Sequence, residues 1–364
     1  MYTILQMEPW FDEKEARAVF DYMDSGGWVT EFSRTREFEE SVKRYVGSRY
    51  SAAVPNGALG LTLALAISGV GYGDEVLVPD FTMVATANAA KMLGARVTFI
   101  DIDPKTLCMD FELMKKAVSS KTKAVILVTI NGRYPEEIES FVLFCRERNI
   151  LLLEDAAQSL GSFKDGKHLG TFGDIGLFSF SAPKIITTGQ GGILVTDNEE
   201  IYEKIKKYRD FGKEKPGEDH YITMGSNFKF TDIQAVIGLE QMKKLPWRVE
   251  RKKQIFSLYE GNLKNVQEIS FLPTNLKNTS PWFIDVMISG GMKEPLRKHL
   301  KERGIETRLF FPALHSEPAY ARVNETYPVA EKVAVDGLWL PSSSKLTDKE
   351  IKYICKEITD FFVR

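Results

Sequence analysis

Hydrophobic positions between residues 50 and 200 form short β-branched or apolar runs, separated by longer segments with helical spacing. This alternation is typical of a parallel or mixed sheet covered by helices. We predict seven strands, at residues 51–55, 75–78, 96–100, 124–129, 150–154, 175–180 and 192–196. Covering helices are predicted at residues 59–67, 111–118 and 136–148. The pattern therefore indicates one large α/β domain with a mixed, mostly parallel seven-stranded sheet.

The pattern changes after Phe230. Thr231 is predicted to cap a helix, and Pro246 with the following tryptophan is predicted to end it. Residues 280–364 then suggest a strand, a helix, a second strand and a final amphipathic helix that begins at Asp348. We therefore expect a large domain over residues 1–245, with an N-terminal helical segment, and a smaller α+β domain over residues 246–364.

Composition excludes several function classes. The net charge is −2, from 48 basic and 50 acidic residues, so nothing in the charge balance favours nucleic acid or an anionic membrane as a partner. The three cysteines are far apart and the four histidines are scattered, which argues against a disulfide framework or a metal site. No apolar window reaches about 18 residues and no leader pattern begins the chain. We expect a cytoplasmic protein.

Lys184 has an unusual setting for a lysine. It lies in FSFSAPKIITTGQGG, residues 178–192, between an alternating strand and a glycine-rich loop. α/β sheets bind ligands beyond the carboxyl ends of their strands, where this lysine would lie. Desolvation there would lower its pKa and make it a nucleophilic amine, although a surface loop lysine is the ordinary alternative.

Three further features point to the same edge of the sheet. Asn56, Gly57 and Ala58 join a strand to a helix, whose free N–H groups suit a phosphate. Asp155 ends an apolar strand and, if buried, needs a cationic partner such as a protonated pyridine nitrogen. Ser179 lies on the strand that leads to Lys184, and its side chain offers a hydroxyl. A phosphate, a ring nitrogen and an aldehyde together describe pyridoxal 5′-phosphate.

Longer motifs carry a resemblance that spans essentially the whole chain. They are EPW (8–10), SGGWVT (25–30), NGA (56–58), GDEVLVPDFT (73–82), EDAAQ (154–158), GDIG (173–176), FSF (178–180), GQGG (189–192) and GSNFKFTDIQA (225–235). With these motifs the chain resembles the DegT/DnrJ/EryC1/StrS family of sugar aminotransferases, pyridoxal-phosphate enzymes of fold type I, the aspartate-aminotransferase fold.

The resemblance implies a role for each matching residue. Lys184 would form the Schiff base and shuttle the proton, Asp155 would pair with the pyridine nitrogen, and Gln158 would lie against the ring beside its 3′ oxygen. The phosphate would be held by Ser179, by the amides of Gly57 and Ala58, and by Asn227 from the second subunit of a homodimer. The family's dehydratase branch carries histidine at position 184, so lysine favours transamination.

Four residues depart from the family pattern. Ala58 replaces a common threonine, and Gln190 stands where glutamate is frequent. Met83 occupies the usual aromatic position that stacks on the ring; a thioether can pack there. Lys229 replaces an arginine associated with the carboxylate of the amino donor, and lysine lacks the bidentate fork.

The resemblance implies a two-step transamination in which an amino acid, L-glutamate, loads the cofactor and a keto sugar unloads it. His315 matches a histidine near the substrate, and His220 is a second candidate. The chain resembles the branch that makes 4-amino-4,6-dideoxy sugars such as GDP-perosamine for cell-surface polysaccharides. It equally resembles the enzyme that forms 8-amino-Kdo from 8-oxo-Kdo. Arg34 and Arg308 are candidate anion partners for either substrate. A non-catalytic regulator that keeps the cofactor pocket is the alternative from another class.

Overall fold

A computed structural model describes residues 4–321 and 325–363. Its first half contains nine strands: β1 (Tyr50–Val54), β2 (Glu75–Pro79), β3 (Arg96–Ile100), β4 (Thr122–Val128), β5 (Leu151–Asp155), β6 (Phe163–Lys164), β7 (Lys167–His168), β8 (Ile175–Ser179) and β9 (Gly192–Thr196). Seven of them form one sheet in the order β1-β9-β8-β5-β4-β2-β3, while β6 and β7 form a separate hairpin. Within the large sheet only β9 runs antiparallel to its neighbours. The seven predicted strands are confirmed.

Helices cover both faces of this sheet. They are α1 (Glu13–Asp24), α2 (Ser33–Val46), α3 (Gly57–Ile67), α4 (Ala85–Met92), α5 (Phe111–Ala117), α6 (Ile138–Glu147) and α7 (Glu199–Arg209). Alternate residues of a strand face opposite sides, so Val76 packs with α3 and α4 while Leu77 packs with α5 and α6. Both faces are apolar because both are covered. The three helices predicted between the strands are confirmed.

Helix α8 (Asp232–Leu263) corrects one prediction, because it continues through Pro246. Thr231 caps it as predicted, accepting from the N–H of Gln234 at 3.3 Å. A proline inside a helix costs about 3 kcal/mol. Leu245 and Val249 are buried on either side of the proline, and this packing outweighs the lost hydrogen bond. The predicted division at residue 245 falls inside α8 and stays a prediction.

The remaining elements form a smaller antiparallel sheet with its own helices. These are β10 (Ile269–Phe271), β11 (Ile284–Ile288), α9 (Lys293–Glu302), β12 (Arg308–Leu309), α10 (Pro328–Asp336), β13 (Gly337–Leu340) and α11 (Asp348–Phe362), with strand order β10-β11-β13-β12. The second half of α8 packs on this sheet, and Ile4 joins the same core by pairing with Ile305. Among the described helices, none has the length and apolar character needed to cross a membrane.

Candidate active site

Several strands of the large sheet end at one edge, and this edge carries the predicted cofactor residues. Asp155 is the last residue of β5 and Ser179 the last of β8, which runs parallel to β5. β1 has the same direction as β8, since both are antiparallel to β9, so α3 begins at this edge too. The topology therefore brings the start of α3, Asp155 and the loop containing Lys184 to the ligand-binding edge of an α/β sheet.

Asp155 is a buried carboxylate with few partners. One oxygen accepts from the Thr86 hydroxyl at 2.7 Å, and the other accepts from the N–H of Ala157 at 3.2 Å. Burial raises the pKa of Asp155, and the positive charge of Lys184 only partly opposes this. A cation delivered to this carboxylate would relieve its desolvation, so a protonated pyridine nitrogen fits the site.

Lys184 lies over an aromatic ring. Its Nζ is 4.0 Å from the centroid of Trp282, whose Nε1 donates to the carbonyl of Pro183 at 2.8 Å. Burial lowers the pKa of the Lys184 amine to about 8; the charge of Asp155 opposes this shift and that of Arg308 adds to it. A substantial fraction of the amine is therefore unprotonated near neutral pH and able to attack a carbonyl carbon.

Trp282 is a site residue to which sequence reasoning assigns no role. It belongs to the segment before β11, far from Lys184 along the chain, and reaches the amine only through the tertiary fold. Its ring also stacks on Phe283 at a centroid distance of 3.7 Å. No local pattern signals such a contact, because tryptophan beside phenylalanine is equally common in an ordinary core.

The start of α3 and the end of β8 form a small polar cradle. Asn56 caps the helix by accepting from the N–H of Leu59 at 2.9 Å. In the described part of the chain the amides of Gly57 and Ala58 donate to no other group. A Cβ on Gly57 would lie 3.4 Å from the Ser179 hydroxyl oxygen, so amides and hydroxyl are neighbours. Two free N–H groups at a helix start beside a hydroxyl suit a phosphate.

The glycine-rich loop after Lys184 allows this close approach. A Cβ on Gly192 would lie 2.9 Å from the carbonyl carbon of Asn56 and 3.0 Å from the amide nitrogen of Gly57, so a side chain there would force the backbone to shift. The neighbouring Gln190 acts through its backbone, since its carbonyl accepts from the Thr188 hydroxyl at 2.7 Å and from Gln234 at 2.6 Å. The Gln190 side chain is exposed, so the structure of one protomer does not explain why glutamine replaces the family's glutamate.

Gln158 is oriented by a buried network. Its Oε1 accepts from the N–H of Asn131 at 2.8 Å, and the Asn131 side chain donates to Asp285 at 2.9 Å. Asp285 in turn forms a buried ion pair with Arg133. Within the described residues Nε2 of Gln158 has no hydrogen-bond acceptor, so the amide remains able to donate to a ligand oxygen.

Met83 is the residue predicted to face the cofactor ring. It is 47% exposed, and its sulfur accepts from the N–H of Ala85 at 3.1 Å. Phe81, two residues earlier, is buried with its ring centroid 5.7 Å from Phe310 and 6.0 Å from Phe311. Phe81 is therefore committed to the core and does not replace the missing aromatic residue.

His315 has a carboxylate at each ring nitrogen. Nδ1 lies 2.7 Å from Asp80 and Nε2 lies 3.3 Å from Glu331, while the backbone N–H also donates to Asp80 at 2.8 Å. Asp80 directly follows β2 at the ligand-binding edge. The histidine thus fastens the segment around residue 315 to the large sheet, and its predicted substrate role stays a prediction.

The segment 211–229 contains the other two predicted substrate residues, His220 and Lys229, and the predicted phosphate ligand Asn227. His220 is exposed and its Nδ1 is 2.9 Å from Glu214. Lys229 pairs with Asp210, and the exposed Asn227 accepts from the N–H of Lys229 at 3.2 Å. Within the described part of one protomer, none of the three is hydrogen-bonded or ion-paired to the residues at the edge of the large sheet.

Comparisons with known proteins agree with this site. The chain is 32% identical to GDP-perosamine synthase of Escherichia coli O157:H7, covering 98% of this chain and 97% of the relative. It is 30% identical to dTDP-4-dehydro-2,3,6-trideoxy-D-glucose 4-aminotransferase of Saccharopolyspora spinosa, covering 96% and 94%. The crystal structure of the aminotransferase TlmJ from Streptoalloteichus hindustanus superposes with a TM-score of 0.93, at 31% identity and 99% coverage of both chains.

The family comparison covers nearly the whole sequence. The model described as DegT/DnrJ/EryC1/StrS aminotransferase family matches residues 10–359. The matched range includes every strand of both large sheets and every α-helix, except for the last three residues of α11. The protein therefore belongs to the DegT/DnrJ/EryC1/StrS aminotransferase family, whose aminotransferases use pyridoxal phosphate to transfer amino groups.

Proposed function

We propose that the protein transfers the amino group of L-glutamate to a nucleotide-linked 4-keto-6-deoxyhexose, for cell-surface polysaccharide synthesis in the cytoplasm. The observation that carries the proposal is the presence of Asp155 and Lys184, close enough for each charge to shift the pKa of the other, beside a free helix start at one sheet edge. The 32% identity to a GDP-perosamine synthase supports the sugar class. The Saccharopolyspora relative carries dTDP in its name, so the proposal does not include the nucleotide base.

The chain's own residues fit the cofactor. Bound pyridoxal phosphate supplies an aldehyde that accepts amines and a ring that takes up electrons released at the adjoining carbon. Asp155 would hold the ring nitrogen in its protonated form, because two neutral donors leave the buried carboxylate short of positive charge. Ser179 with the amides of Gly57 and Ala58 would bind the phosphate, and the free amide of Gln158 would donate to the ring oxygen.

Lys184 would perform two tasks. Its amine, with a pKa of about 8, would attach the cofactor at rest. Once displaced by the donor's amine, it would carry a proton between the donor's α-carbon and C4′ of the cofactor. The ring of Trp282 stabilises the cationic form, and burial favours the neutral form. The two opposing influences keep the amine able both to accept and to release a proton.

A homodimer would complete the site. Asn227 is exposed in the protomer and forms no contact with Ser179, which supports a role in the phosphate site of the other subunit. Large apolar side chains are exposed just before Asn227, at Tyr221, Ile222 and Met224, and also around Thr30, which pairs with Thr231, at Trp28 and Phe32. Exposed apolar patches of this kind are typical of subunit contacts.

The proposal is tested by following cofactor absorbance through each half-reaction. Added L-glutamate should bleach the near-ultraviolet to violet absorbance of the purified protein as the pyridoxamine form appears. Each candidate keto sugar is then added to that form, and a GDP- or dTDP-linked 4-keto-6-deoxyhexose should restore the absorbance. Restoration by 8-oxo-Kdo alone would replace the proposed substrate with the sugar acid. If no amino acid bleaches the absorbance, the proposed aminotransferase activity would be refuted and a non-catalytic regulator would remain as the alternative.

A further inference from the structure

Arg308 is a guanidinium held between aromatic rings. It begins the short edge strand β12 and is paired in register with Trp339 of β13. Its guanidinium carbon lies 5.5 Å from the ring centroid of Trp339, 5.8 Å from Phe283 and 5.9 Å from Phe311. Three rings thus fix the position of the cation while donating no lone pair to its N–H groups.

The guanidinium lacks an anionic partner. The buried arginines Arg133 and Arg209 are ion-paired, Arg133 with Asp285 and Arg209 with two glutamates. For Arg308, which is exposed, the described residues offer neither an ion pair nor a hydrogen bond, and desolvation by the surrounding rings lowers the pKa of its guanidinium with no carboxylate opposing the shift. A cation held over aromatic rings, with five donors that no described residue occupies, is able to bind an anion.

Arg308 and Lys184 lie over the same pair of stacked rings. The Lys184 amine lies 4.0 Å above the Trp282 ring, Trp282 stacks on Phe283 at 3.7 Å, and Arg308 lies 5.8 Å from Phe283. One stacked pair of rings therefore carries both cations. The two are close enough for the charge of Arg308 to lower the pKa of Lys184.

We propose that Arg308 binds the α-carboxylate of the amino donor, which rests on the aminotransferase function proposed above. The α-carboxylate is bonded to the carbon whose nitrogen takes the place of the Lys184 amine, so its receptor must lie close to that amine. The diphosphate of a 4-keto hexose sits across the sugar ring from the reacting carbon, and the carboxylate of 8-oxo-Kdo lies at the other end of its chain. Proximity to Lys184 therefore selects the donor's carboxylate.

Lys229 is less suited to this role. Its amine already pairs with Asp210 and lies 4.6 Å from the ring centroid of Phe211, so its charge is compensated within the protomer. Arg308, in contrast, retains the planar fork that matches a carboxylate with two parallel hydrogen bonds. In this chain Arg308 of β12 would therefore take the role that the family's arginine has at position 229.

The experiment compares L-glutamate with L-isoglutamine, in which the α-carboxylate is an amide. Bleaching of the cofactor absorbance is titrated for the wild type, Arg308→Gln and, as a control, Arg96→Gln, whose exposed side chain begins β3 at the opposite edge of the sheet. The wild type and the control should prefer glutamate by about 10- to 100-fold. Arg308→Gln should lose this preference, whereas a full preference in that variant would overturn the proposal.

Binding of glutarate, a dicarboxylate without an amino group, gives a readout independent of turnover. Calorimetry on the cofactor-loaded protein should show a dissociation constant raised about 10-fold or more in Arg308→Gln. If that variant does not fold, Arg308→Lys keeps the charge but not the fork, and unchanged glutarate affinity and donor preference there would contradict the proposal. A wild type that never bleaches would refute the proposed function instead, so the two failures are distinguishable.

Discussion

Two lysines flank Trp282, the half-buried Lys184 and the buried Lys252, and they differ in what their amines contact. Lys184 lies over the indole ring and donates to no described group. Lys252, fully buried in α8, donates to the carbonyl of Trp282 at 2.6 Å and to that of Ser342. Burial lowers the pKa of both, to about 8 for Lys184 and about 7 for Lys252.

The comparison shows that a lowered pKa does not by itself mark a reactive lysine. A neutral amine has two N–H donors, and in Lys252 two backbone carbonyls accept them, so this lysine joins α8 to the small sheet. Lys184 also has an amine with a lowered pKa, and this amine has no hydrogen-bonded partner among the described residues at the edge where ligands bind. Availability of the amine, together with its position, separates the proposed catalytic lysine from the structural one.

The largest expected effect comes from removing each amine in turn. Lys184→Ala should lower turnover by roughly 10²- to 10⁴-fold because the proton carrier is lost, while phosphate and ring contacts retain the cofactor. Lys252→Met should keep activity within a few fold but lose about 1–3 kcal/mol of stability, since two buried carbonyls lose their donor. Steady-state rates and denaturant unfolding measure both, with the exposed Lys298→Ala as control. Equal loss of turnover in both lysine variants would contradict the distinction.

Adjacent carboxylates at the end of β5 sharpen the same contrast. Glu154 accepts from three backbone N–H groups, those of Gly170 at 2.8 Å, Gly173 at 2.6 Å and Phe172. Asp155 accepts from only two donors, the Thr86 hydroxyl and the N–H of Ala157, among the described residues. Glu154→Gln should lose about 2–3 kcal/mol of stability, because an amide N–H₂ would face backbone donors. Asp155→Asn should leave the cofactor-free protein as stable or more stable, and should lower turnover by roughly 10²-fold. Thermal unfolding and activity measurements on both variants test this difference. A loss of stability in Asp155→Asn and a loss of turnover alone in Glu154→Gln would contradict it.

A smaller effect is expected in the pH dependence of stability. The folded pKa of Lys252 is about 7, below its ordinary 10.5, so the unfolded chain binds more protons between these values. The free energy of unfolding should therefore rise with pH from about 7 toward 10, and below pH 7 this contribution should be flat. Urea unfolding of the cofactor-free protein at pH 7 and 9.5 should show a smaller rise in Lys252→Met. An identical rise in the variant would show that Lys252 is not the group responsible.

Sequence reasoning succeeded where chemistry follows from position along one strand. Asp155 and Ser179 end buried strands, and the direction of those strands alone brings them to one edge. It failed where packing between distant segments decides the outcome. α8 continues through Pro246 because buried neighbours hold it, Trp282 contacts Lys184 from the segment before β11, and Arg308 lies over Phe283 from β12. No local spacing encodes these contacts, since each needs the two sheets docked together.

The central claim is that Lys184, and not Lys252, whose pKa is lowered further, carries the cofactor. Borohydride reduction of the purified protein, followed by peptide mass mapping, tests it most directly by fixing the cofactor to the amine that holds it. We predict one phosphopyridoxyl group on the peptide that contains Lys184, and none on the peptide that contains Lys252. A label on Lys252 or on a surface lysine, with Lys184 unmodified, would contradict the account.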